Sequence, residues 1–327
     1  MKNVIPHLLQ KGDEIRIVAP SVGIKIIRDD CRAIAKERFE EWGLKVSFGK
    51  NTTDDNFDVF GTSGYQKRAE DIMDAFKDVN VKAIFTIIGG FNSNQVLPFL
   101  DYEVIKANPK IVCGFSDITA LLNGIRAKTG LVGFYGPHYS SIGMKKGNEY
   151  TLNHLQKALF EGKFSLEPCD DWSDDLWFLD QEKREFIRND GWWVLQNGKA
   201  QGVMEGGNLS TLVLLNGTEF APQFKQPTIL MVENCYISKA DNKEFLRQLQ
   251  AMAQRADFAQ VKGILIGRFQ KDSEVSRADL EYIVCSIPQI KDLPIIANME
   301  FGHTTPIATL PLGAKCTIDN GKVKLEL

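Results

Sequence analysis

This 327-residue chain lacks the features that several classes of protein require. No apolar run approaches the roughly 20 residues that a transmembrane helix needs, and the first residues contain no apolar segment of the kind found in signal peptides. The formal net charge is −3, so no broad basic surface is available for nucleic acid or for an anionic membrane. We therefore expect a cytoplasmic protein that binds neither nucleic acid nor membranes.

Motifs for metals and for phosphates are also missing. The six cysteines are scattered without a C-x-x-C pair, and no group of His, Cys and Asp has the spacing of a metal site. Neither G-x-x-x-x-G-K-S/T nor G-x-G-x-x-G occurs, which argues against a phosphate-binding loop at Gly89-Gly90. We expect no metal and no cofactor, and we expect the cysteines to be reduced thiols.

Hydrophobic residues make up 43% of the chain, which is enough for a sizeable core and indicates two domains. In the first half, apolar strand patterns alternate with helical spacing. The predicted strands are 14–19, 44–48, 81–88 and 110–113, and the predicted helices are 30–42, 66–76, 94–100 and 117–128. This alternation predicts an α/β fold of Rossmann-like type, with a mostly parallel sheet flanked by helices.

The second half has a different pattern. Residues 162–200 are polar, aromatic and irregular, and we interpret them as the crossing between two domains. We assign an N-terminal domain to residues 1–165, the crossing segment to 166–200 and a C-terminal α/β domain to 201–327. The strands predicted in the last domain are 227–232, 261–266, 294–297 and 322–327, and the helices are 208–215, 241–254 and 276–286.

Ser116 is the most informative residue of the sequence. It lies in Gly114-Phe-Ser-Asp117, between an apolar strand pattern and a helical pattern. A buried strand that turns sharply into a helix presents a serine hydroxyl at the turn, with the first helical amides behind it, as in a nucleophile elbow. Ile118 replaces the last glycine of G-x-S-x-G, and taken alone such a serine is more often a helix N-cap.

Two further residues favour a nucleophile. A strand pattern ends in the carboxylate of Glu233, and His303 lies in a glycine-containing turn after another strand pattern. A hydroxyl, an imidazole that takes its proton and a carboxylate that orients the imidazole form the catalytic set of serine hydrolases. The alternatives for the base are the other three histidines, His7, His138 and His154. We interpret His138, which follows a predicted strand, as structural.

Seven segments of the sequence, taken together and in order, indicate a protein family more specifically than any one segment does. They are residues 9–21, Arg68-Ala-Glu-Asp71, Ile88-Gly-Gly-Phe-Asn-Ser-Asn94, Gly114-Phe-Ser-Asp-Ile-Thr119, Phe134-Tyr-Gly-Pro137, Glu205-Gly-Gly-Asn-Leu209 and Phe301-Gly-His-Thr-Thr-Pro306. In this order they resemble the LD-carboxypeptidase family of serine peptidases, and within it the branch of microcin C immunity proteins (MccF-like). The resemblance implies a glutamine-amidotransferase-like N-terminal domain, a smaller mixed α/β C-terminal domain and a homodimer.

The resemblance also implies roles for individual residues. The family's catalytic serine, glutamate and histidine fall on Ser116, Glu233 and His303, and the backbone amides of Gly90 and Asp117 would hold the oxyanion. The predicted substrate contacts are Asn92, Asn208, and one of Trp192 and Trp193, which would stack on a nucleobase. The alternatives are a helix N-cap for Asn208 and core positions for the two tryptophans.

The sequence therefore predicts a metal-independent serine peptidase. Its substrate would be a small peptide or a peptidyl- or aminoacyl-nucleotide conjugate, cleaved at an amide bond near the free carboxyl end, as in microcin detoxification. The alternative activity is an LD-carboxypeptidase that cleaves murein tetrapeptide in cell-wall recycling. A ligand-binding protein with an inactive triad is the alternative outside catalysis, and the three intact residues argue against it.

Overall fold

The computed structural model of the protein describes residues 3–53, 57–235 and 241–327. Within these ranges, the polypeptide forms two large sheets and a short two-stranded ribbon. No helix in the same ranges has both the length and the apolar composition needed to cross a membrane.

The first sheet is mostly parallel. Its strands in the described part of the chain are β1 (Glu14–Val18), β2 (Lys45–Phe48), β3 (Val81–Thr86), β4 (Ile111–Gly114), β5 (Gly133–Tyr135) and β14 (Leu310–Leu312). Their order in space is β14-β5-β4-β3-β1-β2, with β14 antiparallel to β5 and the other pairs parallel. The central strands β3, β4 and β5 are buried almost throughout, as in sheets covered on both faces. The predicted mostly parallel α/β architecture is confirmed.

The helices of the first half of the chain connect strands of the first sheet or follow its strand β5. They are α1 (Asp29–Glu41), α2 (Tyr65–Lys77), α3 (Tyr102–Ala107), α4 (Ile118–Thr129), α5 (Tyr139–Ile142) and α6 (Glu149–Gln156). The residues Ala69, Ile72 and Phe76 of α2 are buried, and their spacing forms one apolar stripe along the helix. The segment Ser93–Phe99 is a 3₁₀ helix and contains Pro98, which has no amide to continue an α-helical hydrogen-bond pattern.

The second sheet is mixed. The strands that the structure describes in it are β6 (Lys163–Leu166), β9 (Trp193–Gln196), β10 (Lys199–Asn208), β11 (Thr228–Glu233), β12 (Val261–Gly267), β13 (Ile295–Met299), β15 (Lys315–Asp319) and β16 (Lys322–Glu326). Their order in space is β6-β16-β15-β10-β11-β12-β13-β9, and the four strands from β10 to β13 run parallel. Three described helices, α7 (Leu209–Leu214), α8 (Asn242–Ala253) and α9 (Arg277–Ser286), contribute apolar residues to a second core beside this sheet.

The two halves of the chain are interleaved. The strand β6 joins the second sheet and β14 joins the first, so the larger core contains residues of both halves, among them Leu121 and Met231. The crossing segment contains the ribbon, in which β7 (Asp171–Trp172) pairs with β8 (Ile187–Arg188). Short 3₁₀ or π-helical turns are found at Ile24–Ile26, Lys157–Glu161, Phe258–Gln260, Lys271–Ser273 and Pro288–Ile290.

The candidate residues follow the carboxyl ends of parallel strands. The neighbours β3 and β4 are parallel, so the segments after them, which contain Gly90 and Ser116, leave the sheet at the same edge. In the second sheet, β11 ends at Glu233 and the loop after β13 contains His303. The fold thus provides strand ends from both sheets for one site.

Candidate active site

Ser116 occupies the turn between β4 and α4. Its φ angle of +60° places a residue with a side chain in the left-handed region, which costs on the order of 1–3 kcal/mol. The Ser116 carbonyl accepts the amide of Thr119 at 3.0 Å, so the turn leads directly into the helix. Such a tight strand-to-helix turn exposes the serine hydroxyl at the end of the sheet.

The side chains of Ser116, His303 and Glu233 form one hydrogen-bonded chain. The Nε2 atom of His303 lies 2.9 Å from Oγ of Ser116, and its Nδ1 atom lies 2.8 Å from Oε2 of Glu233. Glu233 is completely buried, whereas 15% of the His303 side chain remains exposed. The imidazole therefore stands between a half-buried hydroxyl and a buried carboxylate, an arrangement suited to a nucleophile, a base and an orienting acid.

Hydrogen bonds and neighbouring charges outweigh burial in setting the pKa values of Glu233 and His303. Burial alone would raise the pKa of the Glu233 carboxyl, but the charge of His303 and hydrogen bonds from His303, Tyr135 and Asn208 lower it. Burial alone would also lower the pKa of His303, but the Glu233 carboxylate and a hydrogen bond with Cys235 raise it. Glu233 is thus held as a carboxylate, and His303 becomes a stronger base than a free imidazole.

The amides predicted to hold an oxyanion belong to Gly90 and Asp117. In the described residues, neither amide donates a hydrogen bond to another protein group, so both are available to a ligand. The Gly89-Gly90 turn lies next to the serine, since a Cβ built on Gly89 would come within 3.2 Å of Ser116 Oγ. The Asp117 side chain accepts the amide of Ser93 at 2.9 Å, which connects this turn to the start of α4.

Comparison with known proteins identifies the family. The N-terminal LD-carboxypeptidase domain matches residues 15–136, and the C-terminal LD-carboxypeptidase domain matches residues 201–318. The chain belongs to the LD-carboxypeptidase family. The predicted resemblance is confirmed, and the protein is a hydrolase of the peptidase class.

Relatives of this protein match nearly its whole length. The putative carboxypeptidase YocD of Bacillus subtilis is 47% identical over 95% of this chain and 94% of its own. The microcin C7 self-immunity protein MccF of Escherichia coli is 32% identical over 95% of this chain and 92% of its own. A probable murein peptide carboxypeptidase of Bacillus subtilis is 28% identical over 98% of this chain and 93% of its own.

Solved structures share the two-domain fold. An MccF-like protein from Bacillus anthracis superposes with a TM-score of 0.96 at 42% identity, covering 99% of each chain. MccF in complex with aspartyl sulfamoyl adenosine superposes with a TM-score of 0.89 at 29% identity, covering 99% of this chain and 98% of that chain. The α/β fold of this protein is therefore that of the MccF-type structures.

A cleft of about 320 Å³ is lined by Ser116 and His303. Its aromatic lining consists of Phe115, Trp177 and Phe178, of which the last two come from the irregular crossing segment. The sequence analysis did not assign Trp177 and Phe178 to the site, and the only signal for them was the aromatic character of residues 162–200. In the described part of the chain, no group of three or more His, Cys, Asp or Glu side chains is placed to hold a metal ion.

Trp192 and Trp193, the predicted nucleobase contacts, do not line this cleft. Trp192 packs against the larger core, and its Nε1 donates to Oε2 of Glu300 at 2.7 Å. Trp193 begins β9, and its Nε1 donates to Oδ2 of Asp190 at 3.1 Å. The pairing of β9 with β13 fixes the position of Trp193 opposite Ala297.

The side chain of Asn92, a predicted substrate contact, is bonded to protein groups that support the glycine turn. Its Oδ1 accepts hydrogen bonds from Ser21 at 2.8 Å and from the buried guanidinium of Arg68 at 3.1 Å. Its Nδ2 donates to Thr62 at 3.2 Å. Because the side chain is engaged at both ends and lies two residues after Gly90, it holds the turn in place.

Asn208 is the N-cap of α7, and its side chain also reaches the carboxylate of the site. Its Oδ1 accepts the amide of Thr211 at 3.1 Å, and its Nδ2 donates to Oε1 of Glu233 at 2.9 Å. The same oxygen accepts the hydroxyl of Tyr135 at 2.6 Å. Sequence analysis assigned no role to this tyrosine, whose only signal was its place in the Phe134-Tyr-Gly-Pro137 segment.

His138 lies beside the cleft in an environment that suits a structural residue. Its ring stacks on Phe115 with the centroids 4.3 Å apart, and its Nδ1 lies 2.8 Å from Oγ1 of Thr86. Burial and the charge of His303 lower the pKa of His138 to about 3, so the ring is neutral. In the described residues it has no carboxylate partner that could orient it as a base.

Proposed function

We propose that the protein is a serine peptidase that cleaves an amide bond near the free carboxyl end of a peptide or, more specifically, of a peptidyl- or aminoacyl-nucleotide conjugate, a reaction that detoxifies microcin-type compounds. The hydrogen-bonded chain from Ser116 through His303 to Glu233 carries this proposal. A serine hydroxyl is a weak nucleophile by itself, and a base at 2.9 Å is within reach of its proton. Membership in the LD-carboxypeptidase family supports the same chemistry.

The first half of the reaction transfers the acyl group to the enzyme. Nε2 of His303 takes the proton from Ser116 Oγ while Oγ attacks the carbonyl carbon. The negative charge that develops on the carbonyl oxygen is held by the amides of Gly90 and Asp117. His303 then donates the proton to the leaving nitrogen, the carbon–nitrogen bond breaks, and the acyl group remains on Ser116 as an ester.

Water completes the second half. His303 takes a proton from the water, whose oxygen attacks the ester carbon, and the proton is then returned to Ser116 Oγ as the acid is released. Throughout, Glu233 accepts the hydrogen bond of His303 Nδ1 and stabilises the imidazolium that forms in each half. A raised pKa of His303 supports this role, because the carboxylate favours the protonated ring.

The aromatic lining of the cleft supports a nucleotide conjugate. Trp177 and Phe178 lie in the same cleft as Ser116, and stacking of a base on an aromatic side chain contributes about 1–3 kcal/mol. An apolar hollow of about 420 Å³ shares both aromatic residues with the cleft and gives further room for such a ligand. The related MccF forms a complex with aspartyl sulfamoyl adenosine.

Turnover of two substrates tests this proposal. Aspartyl sulfamoyl adenosine contains a base and murein tetrapeptide contains none, and we expect the first to be cleaved faster. Trp177→Ala should lower kcat/KM for the nucleotide conjugate by about 5- to 150-fold, which is the loss of one stacked base, and should leave the tetrapeptide unaffected. Trp193→Ala, which lies outside the cleft, is the matched control and should lower neither value.

The alternative substrate, murein tetrapeptide, has support from the related murein peptide carboxypeptidase. Faster cleavage of the tetrapeptide would favour this alternative. Equal losses on both substrates in Trp177→Ala, together with a lowered Tm, would do the same, since a packed tryptophan affects every substrate alike. No turnover of either substrate and no reaction with a fluorophosphonate would contradict the serine mechanism itself.

We further propose that the protein acts in the cytoplasm as a homodimer. Its domains would lie at 1–165 and 201–327 with the crossing segment 166–200 between them, except that β6 and β9 belong to the second sheet and β14 to the first. The family resemblance supports the dimer, and the family matches at 15–136 and 201–318 lie inside the two proposed domains. Light scattering after size-exclusion chromatography measures the molar mass in solution. A mass equal to that of one chain would contradict the dimer.

A further inference from the structure

Tyr135 connects the two ends of the Ser116–His303–Glu233 chain. It is the last residue of β5 and is completely buried. Its hydroxyl oxygen lies 3.2 Å from the backbone nitrogen of Ser116 and 2.6 Å from Oε1 of Glu233. A single oxygen thus contacts both the turn that carries the serine and the carboxylate that orients the imidazole.

The donors and acceptors at the Tyr135 hydroxyl can be arranged in only one way. The Ser116 amide is a donor, so the phenolic oxygen accepts its hydrogen bond, and the phenolic proton goes to Glu233, whose carboxylate only accepts. Burial and the neighbouring carboxylate raise the pKa of the Tyr135 phenol well above its ordinary value. The phenol therefore stays protonated and donates to Glu233 throughout the working pH range.

At the serine, the contact holds a strained turn. The φ angle of +60° at Ser116 is a conformation that the surrounding structure must maintain. The Tyr135 hydroxyl gives the amide of this residue its partner, and a buried amide without a partner is unfavourable. Because the next amide along the chain belongs to Asp117, fixing the Ser116 peptide also fixes the direction of a proposed oxyanion donor.

At the carboxylate, Tyr135 shares the negative charge. Oε1 of Glu233 accepts from Tyr135 and Asn208, which leaves Oε2 to His303. Each neutral donor reduces the charge that the carboxylate directs at the imidazole, so removal of one donor makes the carboxylate attract the imidazolium more strongly. Among the described residues, the titratable groups that face His303 are Glu233, Cys235 and the neutral His138.

We propose that Tyr135 is a positioning residue of the reaction, which holds the serine turn and the Glu233 carboxylate in their relative positions and moderates the basicity of His303. The inference rests on the proposed role of Ser116 as the nucleophile. A tyrosine that only fills the core would affect stability alone. A positioning residue also affects the rate of attack and the pH at which His303 loses its proton.

The variant Tyr135→Phe removes the hydroxyl and keeps the ring. We expect kcat/KM and the rate of fluorophosphonate labelling at Ser116 to fall about 10- to 100-fold, while KM changes by less than about twofold, because the lost bonds act on the reacting groups. The acid limb of the kcat/KM profile should move to higher pH, since Glu233 then stabilises the imidazolium more strongly.

Tyr139→Phe is the matched control. Tyr139 is also completely buried, but its hydroxyl donates to the carbonyl of Arg32 at 2.7 Å and not to the site. This variant should lower Tm by a similar amount and leave the labelling rate and the pH profile at their wild-type values. Equal labelling rates and equal pH profiles in the two variants would overturn the positioning role and leave Ser116 as the nucleophile. Failure of wild-type Ser116 to be labelled would overturn the proposed function itself.

Incorporation of 3-fluorotyrosine at position 135 provides a second test if Tyr135→Phe does not fold. Fluorine makes the phenol a stronger donor and retains both hydrogen bonds, so Glu233 should stabilise the imidazolium less. The acid limb should then move to lower pH, opposite to the shift in Tyr135→Phe. An acid limb that stays at the wild-type position would overturn the positioning role.

Discussion

Replacement of Gly90 by alanine tests whether the glycine turn supplies an oxyanion donor. Gly90 has a φ angle of +151°, a backbone conformation that L side chains rarely adopt. A Cβ at this position would lie 2.1 Å from Oγ of Ser21 and 2.9 Å from Cγ2 of Val22. Neither distance is tolerable, so we expect the turn to move.

The size of the effect follows from what Ser21 holds. Its Oγ accepts the amide of Phe91 at 3.1 Å and donates to Oδ1 of Asn92 at 2.8 Å. Displacing Ser21 breaks both hydrogen bonds and moves the Gly90 amide away from Ser116. Loss of one oxyanion donor lowers kcat by on the order of 10²–10³, or about 3–4 kcal/mol. The strained φ angle should lower the free energy of unfolding by about 1–3 kcal/mol.

Initial rates with aspartyl sulfamoyl adenosine give kcat and KM, and thermal unfolding gives the change in stability. Gly217→Ala is the matched control, because Gly217 has a φ angle of +80° but a Cβ there meets nothing within 4 Å. Gly217→Ala should lower the free energy of unfolding through backbone strain and leave kcat unchanged. A Gly90→Ala variant that is folded and whose kcat is within about threefold of this control would remove Gly90 from the oxyanion role.

Three further measurements address the nucleophile, the base and metal independence. Ser116→Ala should fold normally, resist fluorophosphonate labelling and lose on the order of 10⁶ in kcat, and a loss below about tenfold would exclude Ser116 as the nucleophile. The value of kcat/KM should rise with pH around a midpoint above the ordinary histidine pKa of about 6.5, because Glu233 raises the pKa of His303 and only the neutral imidazole accepts a proton. Glu233→Gln should lower this midpoint, and a wild-type midpoint at or below the ordinary value would contradict the coupling. Activity should survive EDTA, and a complete loss that zinc restores would contradict the serine mechanism.

Local patterns predicted the first half of the fold well. The predicted strand 110–113 corresponds to Ile111–Gly114, and the predicted helix 117–128 corresponds to Ile118–Thr129. Apolar runs that end at glycine or at polar residues mark such elements clearly, because each is stabilised by contacts whose spacing is visible in the chain. The position of Ser116 could be predicted for the same reason, since strand, turn and helix are contiguous.

The aromatic lining of the cleft could not be predicted in this way. Trp177 lies in a segment without hydrophobic periodicity, and its position depends on long-range contacts. Among these contacts, Ser173 exchanges two backbone hydrogen bonds with Thr305, at 2.8 and 2.7 Å. They hold the crossing segment against the loop that contains His303. Trp193 begins the edge strand β9 and Trp192 precedes it, and the sequence contains no signal for the side on which β9 pairs.

The proposed nucleophile and its partners come from different sheets, and one helix aligns them. The helix α4 starts just after Ser116 and packs against β10, which ends at Asn208. Along this contact, Nδ2 of Asn123 donates to the carbonyl of Gly206 at 2.9 Å, and Oγ1 of Thr119 accepts the amide of Asn208 at 2.8 Å. These bonds fix the helix on the strand beside the one that carries the carboxylate.

The contact between α4 and β10 explains why residue 207, the second glycine of the Glu205-Gly-Gly-Asn segment, is a glycine. A Cβ on Gly207 would lie 2.6 Å from Oγ1 of Thr119, so a larger residue would push the helix away from the strand. Farther along, the buried side chains of Arg126 and Glu205 form an ion pair at 2.6 Å, and removal of one partner would leave an uncompensated buried charge at a cost of about 3–5 kcal/mol. Since a single imidazole must reach both the serine at the start of α4 and the carboxylate beside β10, the packing of this helix sets the distances on which the proposed reaction depends.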